Sequence, residues 1–393
     1  MSKLSGYLII NKPAGPTSHD VIDVLRQITG LKKIGHAGTL DPFAGGVLIA
    51  GISRAATRHL AAFSRMDKKY LAVLRLEAVS DTYDLTGKIK IIQQELRIKN
   101  KELGIKQVAA GFIGQQQQIP PIYSAKKIKG RRAYDLARQG EKIKLQPQNV
   151  EIYDIKIIKN LKLKIKNFLI LDVHCSSGTY IRSLAHDIGQ KLGCGAYLEK
   201  LVRLSIDNFT LAESVNLPLP LFKHSQPNYT INSELIPNPP EPRRIITPAN
   251  WPDYLINFKR VLCFGTFDIL HPGHFYFLKQ AKSMGSRLTM VVARDIVSSK
   301  IKNRKPMYNE QQRINRLKKI SFIDEVVLGD LDNPYKCLSE IKPDLICLGY
   351  DQTSFTSELS DEIKKLGLKT KICRLTAFQP GKYKSSILKK DYV

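Results

Sequence analysis

The chain has 393 residues, 43% of them hydrophobic and 25% charged. That length exceeds one average hydrophobic core, and the composition excludes a mostly disordered, collagenous or membrane-embedded protein. Its 62 Lys plus Arg against 35 Asp plus Glu leave a formal net charge of +27, which points to a polyanionic partner such as nucleic acid.

The elements follow in chain order. The opening apolar run YLIIN reads as a strand, and it stops at Asn11 and Lys12, too soon for a signal peptide or a spanning helix. A cytoplasmic protein with no membrane partner is expected. SHDVIDVLRQITG reads as a helix with Ser18 as N-cap and Gly30 at its end. YLAVLRL, VEIYDIKII and FLILDVHC read as further strands, and TYIRSLAHDIGQKLG as a helix closed by Gly193. This mixed order predicts an α+β domain over residues 1–215. Nine of the twenty prolines then fall between Asn216 and Pro252, a density that forbids regular helix or central strand, so 216–257 reads as a linker or an extended wrapping segment. In the remainder, RVLCFG, LTMVVA, DEVVLG, DLICLG and TKICRL alternate with helical stretches. That order predicts an α/β, Rossmann-like parallel sheet over 258–393, with ligands bound at the C-terminal ends of its strands. Up to Arg244 the chain carries 37 Lys plus Arg against 20 Asp plus Glu, and beyond it 25 against 15, so both parts are basic. The six cysteines, Cys175, Cys194, Cys263, Cys337, Cys347 and Cys373, form no Cys-x-x-Cys pair and read as reduced core thiols.

One carboxylate, Asp41, stands in the glycine-rich segment GHAGTLDPFAGGVL, where backbone can approach a ligand closely. Taken with Asn11-Lys12-Pro13, Lys69-Tyr70, QIPPIYSAKKIKGRRAYDLARQG and VHCSSGTYIRSLAHDIGQKLGCGAYLEKLVRL, this segment resembles the TruB family of tRNA pseudouridine synthases over residues 5–215. The resemblance implies isomerisation of uridine 55 in the tRNA T-loop to pseudouridine, without cofactor or metal. It implies Asp41 as the catalytic nucleophile, Arg182 as the arginine that pairs with it, and Tyr70 as the aromatic residue stacked on the flipped base. His36 corresponds to the residue that fills the space left in the RNA, and Lys12 and Leu201 to residues lining the pocket. Lys126, Lys127, Arg131 and Arg132 form a basic run suited to phosphates. Family members usually end in a small RNA-binding domain, whose place here is taken by the proline-rich segment and the second domain. A competing reading of the first domain is a tRNA-folding chaperone that flips the base without chemistry.

In the second domain, Gly265-Thr266-Phe267-Asp268 is followed by His271-Pro272-Gly273-His274 at the start of a helix, a position suited to phosphate. No Gly-Lys-Ser/Thr follows, so the segment is not a P-loop. It resembles the cytidylyltransferase-like nucleotidyltransferases, which join a nucleoside triphosphate to a phosphorylated acceptor, usually with Mg²⁺ carried by the nucleotide. The resemblance implies that His271 and His274 stabilise the triphosphate, that Thr266 and Phe267 border the nucleotide, and that Lys305 clamps phosphates from a basic loop. VVARD and LGYDQ look most like archaeal-type FAD synthetases, with Asp351 at a strand end, so ATP and FMN are the expected substrates. CTP with glycerol 3-phosphate is the second expectation, and a non-catalytic nucleotide-binding module the third.

Overall fold

The computed structural model of the protein describes residues 5–92, 101–124, 126–128, 131–133, 136, 139, 143, 145–158, 167–222, 245–256, 258–303, 305–375, 378 and 383. Contacts divide the chain into two compact units: residues 8–50 and 67–254 in the first, residues 1–7, 51–66 and 255–393 in the second. The expected linker lies largely outside the described residues, at 223–244. Among the described residues no helix is long and apolar enough to cross a membrane.

The first unit is built on β1 (Gly6–Lys12), β2 (Ile34–Ala37), β3 (Gly45–Ile52), β4 (Lys68–Leu76), β5 (Ala78–Ser80), β6 (Ile89–Ile91) and β7 (Gly114–Gln118), continued by β8 (Lys127–Ile128), β9 (Arg131–Arg132), β10 (Gln148–Ile157), β11 (Phe168–Cys175), β12 (Ala196–Ile206), β13 (Phe209–Thr210) and β14 (Val215–Asn216). Ten of these strands form one sheet, in the order β14-β1-β3-β12-β4-β11-β10-β7, with β13 on β12 and β2 on β3. The chain thus has the α+β architecture expected for this part. Two central strands, β3 and β12, fall on segments, GGVLIAGI and AYLEKLVRLSI, that were not assigned as strands from the sequence.

Strand β12 explains itself through its irregularity. It bulges against β4 between Leu198 and Lys200 and again between Arg203 and Ser205. The extra residue reverses the in/out alternation, so Leu198 and Leu201, three apart, both face the core that contains Tyr70, Ala72 and Leu74. Val202 and Leu204 pack on the opposite face, with Leu71 and Val73. Arg203, two residues after Leu201, pairs across β4 with Tyr70.

The helix Ser18–Thr29 is capped one residue earlier than expected. Thr17, not Ser18, is its N-cap, in a capping box with Asp20, and Gly30 closes it in the left-handed conformation. Ser18 is the first helical residue, and its hydroxyl donates to the Leu40 carbonyl at 3.1 Å and accepts from the Leu40 amide at 2.9 Å. The residue misread as a cap therefore ties the helix to the segment that carries Asp41.

The second unit has five parallel strands, β15 (Phe258–Gly265), β16 (Gly285–Val292), β17 (Glu325–Leu328), β18 (Leu345–Leu348) and β19 (Lys371–Arg374), in the order β17-β16-β15-β18-β19. The order reverses between β15 and β18, which opens a crevice at their C-terminal ends. All six cysteines are buried and none is in a disulfide, as expected of core thiols.

Candidate active sites

In the first unit Asp41 lies in the loop between β2 and β3, beside the start of the helix Ile181–Leu192. Arg182, 5% exposed, is the second residue of that helix. Its Nε lies 3.0 Å from Asp41 Oδ2 in an ion pair, and its Nη2 donates to Asp41 Oδ1 at 3.2 Å. The same guanidinium donates from Nη1 to Asp84 Oδ2 at 3.0 Å and from Nη2 to the Tyr123 carbonyl at 2.9 Å. The planar fork of arginine suits such a two-carboxylate bridge, which a lysine ammonium could not reproduce. The Asp41 side chain stays 34% exposed, so a ligand can reach the carboxylate. Surrounding protein nevertheless strips it of water and raises its pKa above the usual carboxylate value; Arg182 works against that rise and Asp84 adds to it.

Asp84 was not singled out from the sequence, and it is 2% exposed. Its Oδ1 accepts from the Thr82 hydroxyl at 2.8 Å, the Thr86 amide at 2.8 Å and the Thr86 hydroxyl at 2.5 Å. The signal was available in the turn Asp81-Thr82-Tyr83-Asp84-Leu85-Thr86-Gly87, a polar stretch following a strand. Gln118 was missed too. It brackets the residue before the helix, accepting from the Tyr180 amide at 2.8 Å and donating to the Tyr180 carbonyl at 3.0 Å. The helix start has no side-chain cap of its own, and this amide pair holds it in place.

Lys12 is placed differently from a pocket-lining residue. It is fully buried, and its ammonium donates to the carbonyls of Pro13 at 2.8 Å, Pro42 at 3.1 Å and Ala44 at 2.7 Å. Lys12 thus braces the Asp41 loop from behind, through backbone oxygens. The Gly15 amide, donating to the Pro42 carbonyl at 2.8 Å, adds a second tie.

Tyr70, 8% exposed, and Leu201, 6% exposed, belong to one apolar cluster with Leu40, Phe43 and Ala44, which flank Asp41, and Ile181, which precedes Arg182. Burial raises the pKa of the Tyr70 phenol, and the positive charge of Arg203 works the other way. His36 lies half-buried on β2; burial lowers its pKa, with Arg203 and His19 adding to the effect. Lys126 donates to the Gln146 carbonyl at 3.4 Å and to Gln148 Oε1 at 3.3 Å. Lys127 and Arg132 sit opposite each other in the β8–β9 hairpin, with side chains outside the described residues. Arg131, on the same hairpin, is exposed and bonded to Gln139.

In the second unit a cavity of about 660 Å³ opens at the switch point, with Thr266, Phe267, His271, His274, Tyr335, Asp351 and Phe378 in its lining. His271 is the N-cap of the helix Pro272–Met284, and its ring stacks on that of His274 with centroids 3.9 Å apart. Phe267, held at φ 52°, sets its ring edge against His274 at 5.5 Å. Burial lowers the pKa of His271, which favours the neutral imidazole. Arg313, fully buried, donates to the Thr266 carbonyl at 2.6 Å and the Ala293 carbonyl at 2.8 Å and pairs with Asp295 at 2.6 Å, so it fixes the cavity floor. Lys305 is exposed and is not among the lining residues. Among the described residues no group of three or more His, Cys, Asp or Glu side chains could hold a metal ion.

Comparison with known proteins matches residues 26–181 to "TruB family pseudouridylate synthase (N terminal domain)" and 182–218 to "tRNA pseudouridylate synthase B C-terminal domain". The latter match begins at Arg182 and includes β12. Residues 262–391 match "Cytidylyltransferase-like". A tRNA pseudouridine synthase B of Thermotoga maritima is 44% identical over 212 residues, covering 54% of this chain and 66% of the relative. One of Chlamydia muridarum is 42% identical, covering 54% of this chain and 85% of the relative. The chain thus spans just under two thirds of the Thermotoga relative's length. Among solved structures, a Cbf5-Nop10-Gar1 complex chain is 28% identical with a TM-score of 0.41, over 55% of this chain and 52% of that one.

Proposed function

The chain belongs to the TruB family of pseudouridylate synthases, and from that premise we propose that its first unit isomerises uridine 55 in the T-loop of tRNA to pseudouridine. The observation that carries this reading is the Asp41 carboxylate, reachable from solvent yet gripped by a buried arginine beside Tyr70 and Leu201. The base leaves the RNA stack and lies against Tyr70, while Asp41 serves as the nucleophile. The N1–C1′ bond breaks, the uracil turns, a C5–C1′ bond forms, and the proton on C5 departs as N1 gains one. Nothing is oxidised or lost overall, so the reaction calls for positioning and charge stabilisation rather than a cofactor. Arg182 keeps the carboxylate oriented, and the basic residues Lys126, Lys127, Arg131 and Arg132 take tRNA phosphates. The test is release of tritium from tRNA carrying [5-³H]uridine, with Asp41→Asn as control. Activity that survives this substitution overturns the assignment, and base flipping without release would favour a folding chaperone.

The second unit is read as a nucleotidyltransferase acting on ATP and FMN. A phosphate oxygen of FMN attacks the α-phosphorus of ATP, and pyrophosphate leaves toward His271 and His274, which donate N–H groups to the developing charge. Mg²⁺ would enter on the triphosphate and supply further charge neutralisation there. The observation that favours a planar acceptor over glycerol 3-phosphate is the set of aromatic rings lining the cavity, among them Phe267, Tyr335 and Phe378. Incubation with ATP or CTP and either acceptor decides between them by pyrophosphate release. No release with any pair would leave a nucleotide-binding module.

A further inference from the structure

Arg203 is 1% exposed and sits where three parts of the first active site meet. Its Nε donates to the Val47 carbonyl at 2.7 Å and its Nη2 to the Gly38 carbonyl at 2.9 Å. Gly38 lies before Asp41 and Val47 after it, so one guanidinium holds both ends of the loop that carries the nucleophile. Its cross-strand neighbour on β4 is Tyr70, which places the two side chains on one face of the sheet. The bulge between Leu198 and Lys200 is what turns Arg203 to this face, since unbroken alternation from Ala196 and Leu198 would point it away. On its other side the backbone of Arg203 pairs with Gly46, where a Cβ would come within 2.3 Å of the Arg203 carbonyl oxygen. Backbone contact as close as this sets Arg203 against β3 with little freedom to shift.

We propose that Arg203 is a positioning residue for the isomerisation, holding the Asp41 loop in place against the strand that carries Tyr70. This rests on the reading of the first unit as a uridine isomerase. Arg182 orients the Asp41 carboxylate, whereas Arg203 sets the distance between that loop and the aromatic platform under the base. The charge of Arg203 also reaches Asp41, together with those of Arg182, Asp84 and Lys12. Its fork geometry and its charge are therefore separable contributions. Lysine at 203 keeps the charge but cannot serve two carbonyls from fixed directions.

The experiment measures single-turnover rate constants against pH, together with tRNA dissociation constants, for the full-length wild type, Arg203→Lys, Arg203→Met, Tyr70→Phe and Arg203→Lys/Tyr70→Phe. Arg203→Lys is expected to lower the rate by about 100-fold, the scale of an ångström-level misplacement, with tRNA affinity unchanged. Arg203→Met is expected to lose at least as much and to move the acid limb of the profile to higher pH, because a positive charge near Asp41 has gone. Combining Arg203→Lys with Tyr70→Phe should cost less than the product of the two single losses, since the two are cross-strand neighbours on one face of the sheet. Additive losses, weakened tRNA binding at full rate, or an acid limb that stays fixed in Arg203→Met would each overturn the proposal. Should a variant unfold, Tyr70→Phe in the wild-type background and a thermal melt of Arg203→Lys separate stability from rate. A wild type that releases no tritium refutes the isomerase reading itself, whatever the variants do.

Discussion

Asp41 and Asp84 are joined through a single guanidinium: Arg182 reaches Asp41 with Nε and Nη2 and Asp84 with Nη1, at 3.0–3.2 Å. Only Asp41 keeps an open side. Asp84 is enclosed by Thr82 and Thr86, which makes it the fixed end of the bridge and Asp41 the working end.

Replacing the working end has opposite effects on activity and stability. Burial raises the Asp41 pKa, so the folded state binds more protons than the unfolded chain between the ordinary carboxylate pKa and the raised one. Stability from this group is therefore present at low pH and lost as pH rises through that window. Asp41→Asn should abolish tritium release from tRNA and melt no lower than wild type at pH 7. The activity of the wild type should fall as pH drops through the same raised pKa, which a pH–rate profile reads directly.

At the fixed end, Asp84→Asn should destabilise the first unit by about 1–3 kcal/mol, because an enclosed amide cannot accept from Arg182 and from Thr82 and Thr86 at once and leaves a buried donor without its partner. The same substitution removes a negative charge that raises the Asp41 pKa, so the acid limb of the surviving activity should move to lower pH. Chemical denaturation and the rate profile test the two halves separately.

Lys12→Met removes the ammonium that donates to the carbonyls of Pro13, Pro42 and Ala44, of which Pro42 keeps the Gly15 amide. Each buried carbonyl left without a partner costs about 1–3 kcal/mol, so the melting temperature should fall by several degrees or the protein fail to fold. Lys12→Arg should not restore it, since the larger planar group does not fit a site closed around an ammonium. A tRNA-contacting role would instead show as weakened binding with unchanged melting.

Gly46 has φ 102° and faces the Arg203 backbone, where a Cβ would meet the carbonyl oxygen at 2.3 Å. Gly46→Ala should destabilise by at least about 1–3 kcal/mol from backbone strain alone, with the clash in addition. Gly30→Ala, at φ 68° with open space around it, carries the strain without the clash and should cost less in the same unfolding measurement.

For the second unit, His271→Ala and His274→Ala should each abolish pyrophosphate release while leaving tritium release by the first unit unchanged. Lys305→Ala should have a smaller effect, because Lys305 is exposed and does not line the cavity. Measuring both activities on one preparation checks this.

Local chemistry made much of this protein legible in the chain. The helix Ser18–Thr29 follows from its apolar spacing and the glycine that ends it, and the parallel sheet of the second unit from short apolar strands alternating with helical runs. Asp41, Tyr70 and Arg182 stand in long motifs that resemble the TruB family, and the two histidines follow a strand at a helix start, so these could be named before any coordinates. Tertiary structure alone decided the rest, because the deciding contacts join residues far apart in the chain. Asp84 meets Arg182 across 98 positions and Arg203 meets Val47 across 156, separations on which no periodicity bears. The bulge in β12 reversed the alternation that sequence reading relies on, and so hid both the strand and the direction of Arg203. Lys12 shows the same limit: the resemblance set it in the lining of the pocket, while its burial gave it three carbonyls beneath the Asp41 loop. Residue type fixes what a side chain can do, and the fold, by setting its neighbours and its access to water, decides which of those things it does.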